Sequence, residues 1–197
     1  MARFPQARFL LSAAAPAQYP TDLGAEVAFA GRSNAGKSSA INAIVGRQGL
    51  ARASKTPGRT RLINFFELSA LTRLVDLPGY GYASAPESER RAWPLLLEAL
   101  RRRSSLKGLF VIVDARRGIT EGDTALLEWA GSGQKVHVLL AKTDKLSRQE
   151  ARQALASAAA RLGEGVSVQL FSAHARIGVE EAQRVLSSWL EEPSDGR

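Results

Sequence analysis

The run Gly31-Arg32-Ser33-Asn34-Ala35-Gly36-Lys37-Ser38 constrains the fold of this 197-residue chain more than any other stretch. The apolar segment Glu26-Val27-Ala28-Phe29-Ala30 precedes it. After it comes Ser39-Ala40-Ile41-Asn42-Ala43-Ile44-Val45, in which Ile41, Ile44 and Val45 fall on one helical face. A buried strand, a glycine-bracketed turn and a helix start, in that order, make a phosphate-binding loop. Gly31 and Gly36 let the backbone approach a phosphate chain closely, and the helix start adds partial positive charge. Lys37 is placed to reach β- and γ-phosphates, and the Ser38 hydroxyl to ligate Mg²⁺. The sequence therefore predicts a binder of nucleoside triphosphates.

Two further strand ends carry matching chemistry. Asp76-Leu77-Pro78-Gly79 closes the apolar run 71–75. Asp76 is placed to hold Mg²⁺ through a water, and the Gly79 amide to touch a γ-phosphate whose loss would release the following loop. Lys142-Thr143-Asp144 follows the apolar run 136–140. A carboxylate there accepts from the ring N–H and exocyclic amine of guanine. Adenine would leave it unpaired, at a cost of about 1–3 kcal/mol. The Lys142 stem is able to lie along the base. Phe171-Ser172-Ala173 ends a third apolar run, 166–170, and offers backbone amides to the guanine carbonyl.

These strings, with Thr56-Pro57-Gly58-Arg59-Thr60-Arg61-Leu62-Ile63-Asn64-Phe65-Phe66 and the continuation Tyr80-Gly81-Tyr82-Ala83, resemble the EngB (YihA/YsxC) family of the Era/TrmE branch of translation-factor-class GTPases. The likeness spans nearly the whole chain. It implies a nucleotide site made by residues 31–39 (Ser39 included), Gly58, Arg59, Thr60, Arg61, Leu62, 76–79, 141–144 and 171–173. It implies that Thr60 joins Ser38 on Mg²⁺, and that the chain is a cytoplasmic monomer assisting assembly of the large ribosomal subunit, with a link to division and septation. Lys37, Thr60, Gly79 and Asn34 are the expected catalytic set. Asn34 enters as a K⁺ ligand, since potassium-stimulated relatives use an asparagine there. Turn geometry accounts for that asparagine equally well.

Two positions depart from common GTPase patterns. Ala141 stands where Asn or Thr precedes the Lys-x-Asp and offers no side-chain hydrogen bond, which predicts nucleotide affinity weaker by about 1 kcal/mol. Tyr80 follows Gly79 where Ras-like GTPases keep a water-positioning glutamine, so hydrolysis by the chain alone is expected to be slow. His137 and His174 adjoin no phosphate motif and are read as structural.

Apolar runs alternate with helical patterns over 87–103, 121–130, 148–162 and 179–190, with a hairpin across 63–77. The fold expected is α/β: a doubly wound, three-layer P-loop GTPase fold whose mostly parallel six-stranded sheet has one antiparallel edge strand. Residues 1–23 are expected to be an extension packing on the domain rather than a signal peptide, because the apolar part is short and holds Ser12 and Pro16. Residues 24–191 form the GTPase domain and 192–197 a frayed tail. Residues 46–61 lack periodicity and are read as a mobile first switch.

With 45% hydrophobic residues the chain can fill one core, and zero cysteines exclude disulfides and Cys-based zinc sites. Net charge is +8, grouped at Arg47, Arg52, Lys55, Arg59 and Arg61, at Arg90 and Arg91, and at Arg101, Arg102, Arg103 and Lys107. That pattern suits a polyanionic partner such as ribosomal RNA. Two other readings stay open: a GTP-controlled protein-binding module at the division site without RNA contact, and a P-loop ATPase or small-molecule kinase.

Overall fold

The computed structural model describes residues 4–52, 62–80, 87–131 and 134–191, the side chains of 87–92 excepted. Seven strands form one sheet: β1 (Arg8–Ala13), β2 (Ala25–Gly31), β3 (Ile63–Ser69), β4 (Thr72–Asp76), β5 (Leu106–Asp114), β6 (Lys135–Ala141) and β7 (Val166–Leu170). Their order is β1-β3-β4-β2-β5-β6-β7. The helices are α1 (Lys37–Val45), α2 (Glu87–Arg101), α3 (Glu121–Ala130), α4 (Arg148–Arg161) and α5 (Val179–Leu190).

Strand β3 runs antiparallel to both of its neighbours, β1 and β4, and every other pairing is parallel. The doubly wound architecture is the one expected, with one strand more. Residues 8–13 of the N-terminal extension supply it, so the antiparallel strand lies inside the sheet and the extension forms its edge. A run of six residues with no clear alternation carries no local signal of a strand. It becomes one by taking up the hydrogen-bonding groups that β3 would otherwise leave open.

Period-two alternation sends neighbouring side chains to opposite faces. Val27, Phe29, Phe110 and Ile112 pack under α1 and α5 with Ile41, Ile44, Leu186 and Trp189. Ala28, Ala30, Leu109, Val111 and Val113 pack under α2, α3 and α4 with Leu97, Leu100, Leu126 and Ala158. Phe29 stacks on Phe110 at 4.8 Å, and Trp189 leans on Phe110 at 5.1 Å. Gly108 makes room for that tryptophan: a Cβ there would lie 2.4 Å from the indole.

At the amino ends of the strands the fully buried Glu26 meets two arginines. Arg73 Nη1 donates at 2.5 Å and Arg103 Nε at 2.7 Å. The same guanidinium groups hold the carbonyls of Pro20, Thr21 and Leu23. Asp22 accepts from the amides of Ser104 and Ser105. Burial acts to raise the Asp22 pKa, but the Ser105 side chain, these amides and the nearby Arg103 outweigh it and hold the carboxyl at about 2. Arg103 therefore belongs to an internal ion cluster and not to a free basic surface. Arg101 and Arg102 chelate Glu98, and Arg47 donates to the Ala7 carbonyl. Of the positive groups read from the sequence, Lys55, Arg59 and Arg61 lie outside the described residues, as do the side chains of Arg90 and Arg91.

The region after α1 also differs from its reading as mobile from residue 46 onward. Asn42 Nδ2 donates to the Ala51 carbonyl at 2.9 Å and its Oδ1 accepts from the Ala51 amide at 2.7 Å. Ala51 is buried. A side chain in the last turn of α1 fastens Ala51, which periodicity cannot register. Residues 53–61 lie outside the described part, as does the proposed tail, 192–197.

Candidate functional site

Residues 31–36 leave β2 at its carboxyl end and lead into α1. Asn34 and Gly36 both take left-handed backbone conformations, with φ of 63° and 109°. Gly36 is the N-cap of α1, and no side chain caps the helix. By contrast α4 starts with Ser147 accepting from the Glu150 amide, and α3 has a Thr120/Asp123 capping box. The first-turn amides of α1 thus have no side-chain acceptor of the usual kind, an arrangement suited to an anion. Gly31 has an ordinary φ. It must be glycine because a Cβ would sit 2.6 Å from the Ile112 carbonyl oxygen, so its requirement comes from strand β5.

Lys37 Nζ forms an ion pair with Asp76 Oδ1, both side chains being nearly buried. This joins the first residue of α1 to the last residue of β4 and brings the acidic strand end against the phosphate loop. Gly79 is pressed on the loop as well: a Cβ there would stand 3.1 Å from both the Ser33 nitrogen and Cα. The Ser33 amide donates to the Tyr80 carbonyl at 3.0 Å. Ser38 lies in the first turn of α1, beside Lys37. Of the first-switch residues, Leu62 is described, whereas Gly58, Arg59, Thr60 and Arg61 are not.

On the other side of the loop, Lys142 adopts a left-handed backbone with φ 65°. Its Nζ donates to the Asn34 carbonyl at 2.5 Å and to Asp114 Oδ2 at 3.0 Å. Ala141 is buried, with its Cβ 3.8 Å from where a Cβ on Gly36 would be. The Lys142 ammonium group thus ties this strand end to the phosphate loop, where Ala141 offers no side-chain hydrogen bond. Asp114, at the end of β5, was not among the residues singled out from the sequence. Arg116 grips it with both Nε and Nη2, and this pair, ahead of Lys142, holds its carboxyl well below the usual range. An acidic residue closing an apolar run, as at Asp76, was the available signal.

Asp144 Oδ1 accepts from the Ser172 hydroxyl at 2.6 Å, and this bond lowers the carboxyl's pKa. The same hydroxyl accepts from the Ala175 amide at 3.0 Å, which fixes its direction. Thr143 ties the two loops together through the Phe171 carbonyl, at 3.0 Å from its hydroxyl. The amides of Phe171 and Ser172 are committed to the Leu140 and Ile177 carbonyls. Among the described residues only Ala173, of these three, keeps an amide without a protein acceptor. His174 is exposed beside this turn, and His137 is buried within β6 between Ser167 and Gln169, away from the strand's loop end.

All of these groups stand at the carboxyl ends of β2, β4, β5, β6 and β7, where open α/β sheets bind ligands. A family model described as "50S ribosome-binding GTPase" matches residues 26–143. The probable GTP-binding protein EngB of Azoarcus sp. (strain BH72) is 53% identical over 196 residues, 96% of this chain and 94% of that protein. The protein of the same description from Coxiella burnetii (strain CbuG_Q212) is 50% identical over 191 residues, 94% of this chain and 93% of its own length. Among solved structures, that of a probable GTP-binding protein engB gives a TM-score of 0.65 at 23% identity over 86% of this chain and 100% of that one. Era in complex with MgGDPNP and nucleotides 1506–1542 of 16S ribosomal RNA gives 0.63 at 18% identity, over 89% of this chain and 59% of Era. At those identities the two structures speak for the fold alone. Identity of one residue in two, sustained along nearly the full length of both partners, goes further: the chain belongs to the EngB family of P-loop GTPases, which bind and hydrolyse GTP.

Proposed function

We propose that the chain is a slow, GTP-controlled switch that assists assembly of the large ribosomal subunit in the cytoplasm and, through it, normal division and septation. What carries the switch reading is the seat of Gly79: its backbone lies close against Ser33, where even a Cβ would be 3.1 Å from the Ser33 nitrogen and Cα. A γ-phosphate on this loop would meet the Gly79 amide, and its loss would free the segment behind it. Lys37 and the α1 amides would hold the phosphates, and Asp144 with the Ala173 amide would select guanine. Lys142 would brace the base side against the phosphate side.

The donor set fits Mg²⁺. A hydroxyl at Ser38 and a carboxylate at Asp76 are hard oxygen ligands, and Asp76 faces the phosphate loop through Lys37; Thr60, outside the described residues, would add a second hydroxyl. Mg²⁺ when bound neutralises charge on the phosphates. The described residues hold no cluster of three or more His, Cys, Asp or Glu, which suits an ion that takes most of its ligands from phosphates and water. Asn34 is exposed in its left-handed turn, a geometry asparagine tolerates and one that leaves its side chain open to a K⁺. Turnover in KCl against NaCl of equal strength decides between those uses of the residue.

The ribosomal part of the proposal is supported by the family description and by a net charge of +8. No helix among the described residues is long and apolar enough to cross a membrane. Residues 24–191 would act as a monomeric GTPase domain, with the extension 1–23 joined to it through the edge strand 8–13. Co-sedimentation with ribosomal subunits tests the proposal. Binding should be several-fold tighter with a non-hydrolysable GTP analogue than with GDP, and should weaken steeply with salt. No association at low salt with either nucleotide would sink it and favour the protein-binding module.

A further inference from the structure

The Tyr80 side chain ends on the first turn of α3. Its hydroxyl donates to Asp123 Oδ1. One side of the ring lies against Gly122, where a Cβ would be 3.1 and 3.2 Å from Tyr80 Cε2 and Cδ2. Asp123 is 2% exposed, and its other oxygen is already taken by Thr120, at 2.8 Å from the amide and 2.6 Å from the hydroxyl. At the opposite end of the same residue, the Tyr80 carbonyl accepts from Ser33 in the phosphate loop, and Arg32 pairs with Tyr80 as an isolated parallel bridge. One residue is thus bonded through its backbone to the phosphate loop and through its side chain to a helix start.

We infer that Tyr80 is a positioning residue that latches the Gly79 segment to the N-terminus of α3, making α3 a second element that reads the bound nucleotide. The inference rests on the switch reading above. Its physical content is that Tyr80 cannot move with Gly79 at no cost. If the phenol leaves, a nearly buried carboxylate oxygen loses its donor, and the Asp123 that closes the α3 capping box is left half satisfied. Burial, reinforced by the bond to Asp123, pushes the phenol pKa upward, so the hydroxyl stays a donor throughout the working range. Displacement of Gly79 would therefore be passed to residues 120–123, whose helix presents Glu121, Ala125 and Glu128 to solvent. A partner touching that outer face would sense the γ-phosphate without contacting the nucleotide.

Hydrogen exchange measured by mass spectrometry over 120–126, with GDP and with a non-hydrolysable GTP analogue, tests this. Nucleotide dissociation constants are measured on the same samples. In the unaltered chain the exchange rates of these amides should differ at least threefold between the two nucleotides. In Tyr80→Phe that difference should vanish while GDP affinity changes less than about threefold. The start of α4, capped by Ser147, serves as the internal reference. Equal exchange in the two states of the unaltered chain, or an undiminished difference in Tyr80→Phe, overturns the latch. Absence of binding by either nucleotide would instead overturn the switch reading beneath it. If Tyr80→Phe does not fold, Asp123→Ala, which removes the phenol's acceptor, carries the same expectation.

Discussion

Ala141 shows how far a single residue can be read. Its type alone signals a missing hydrogen bond, and the structure adds that Lys142 spans the gap to the Asn34 carbonyl. Ala141→Asn is expected to tighten GDP binding about fivefold, equivalent to ~1 kcal/mol, by isothermal titration calorimetry. An unchanged dissociation constant would mean that the lysine bridge already does the work. His137 illustrates the opposite case, a residue whose role only its neighbours define. Gln169 Nε2 donates to the Leu170 and Gly178 carbonyls, so its Oε1 faces His137 Nε2 at 2.9 Å as an acceptor. The ring therefore carries its proton on Nε2 and accepts from Ser167 at Nδ1. Burial lowers its pKa, outweighing the Gln169 bond. Since the unfolded chain takes up that proton near pH 6.5 and the folded chain resists it, stability is full above 6.5 and declines as pH falls below it. Thermal midpoints of the unaltered chain and His137→Gln over pH 5–8 should diverge only at the acid end.

At the scale of elements, the strands and helices that form one rim of loops were legible because each repeats an apolar period over many residues. The exceptions are instructive. Strand β1 and the tether of residues 46–51 depend on partners 50-odd and nine residues away, Glu67 to Ile63 for the one and Asn42 for the other, and leave no periodic trace. The arginine run at 101–103 was visible as charge, but its allocation to Glu98 and Glu26 needed the fold. Because Glu26 is wholly buried between two guanidinium groups, Glu26→Gln should cost about 3–5 kcal/mol by chemical denaturation. Gly108→Ala should cost about 1–3 kcal/mol through its collision with Trp189, without changing nucleotide specificity. Circular dichroism melts and a GDP competition assay check the two halves of that statement.

For the molecule as a whole, ligand and fold are coupled. The loops that would grip guanine nucleotide tie together the ends of five strands, so GDP at 100 times its dissociation constant should stabilise the chain by about 2.7 kcal/mol. For a domain of this length that is a rise in thermal midpoint of roughly 5–11 °C, and ATP at the same concentration should produce none. Sequence by itself determined the layered α/β class, the phosphate-loop motif, the acidic end of β4 and the carboxylate at Asp144, because these depend on short-range spacing and on side-chain chemistry. Tertiary structure alone decided that Gly31 answers to Ile112, that Lys142 reaches the Asn34 carbonyl, and that Tyr80 ends on Asp123. Each of those is a contact between residues at least 40 positions apart, where what a side chain does is fixed by the space and the unpaired polar groups that the folded chain brings to it.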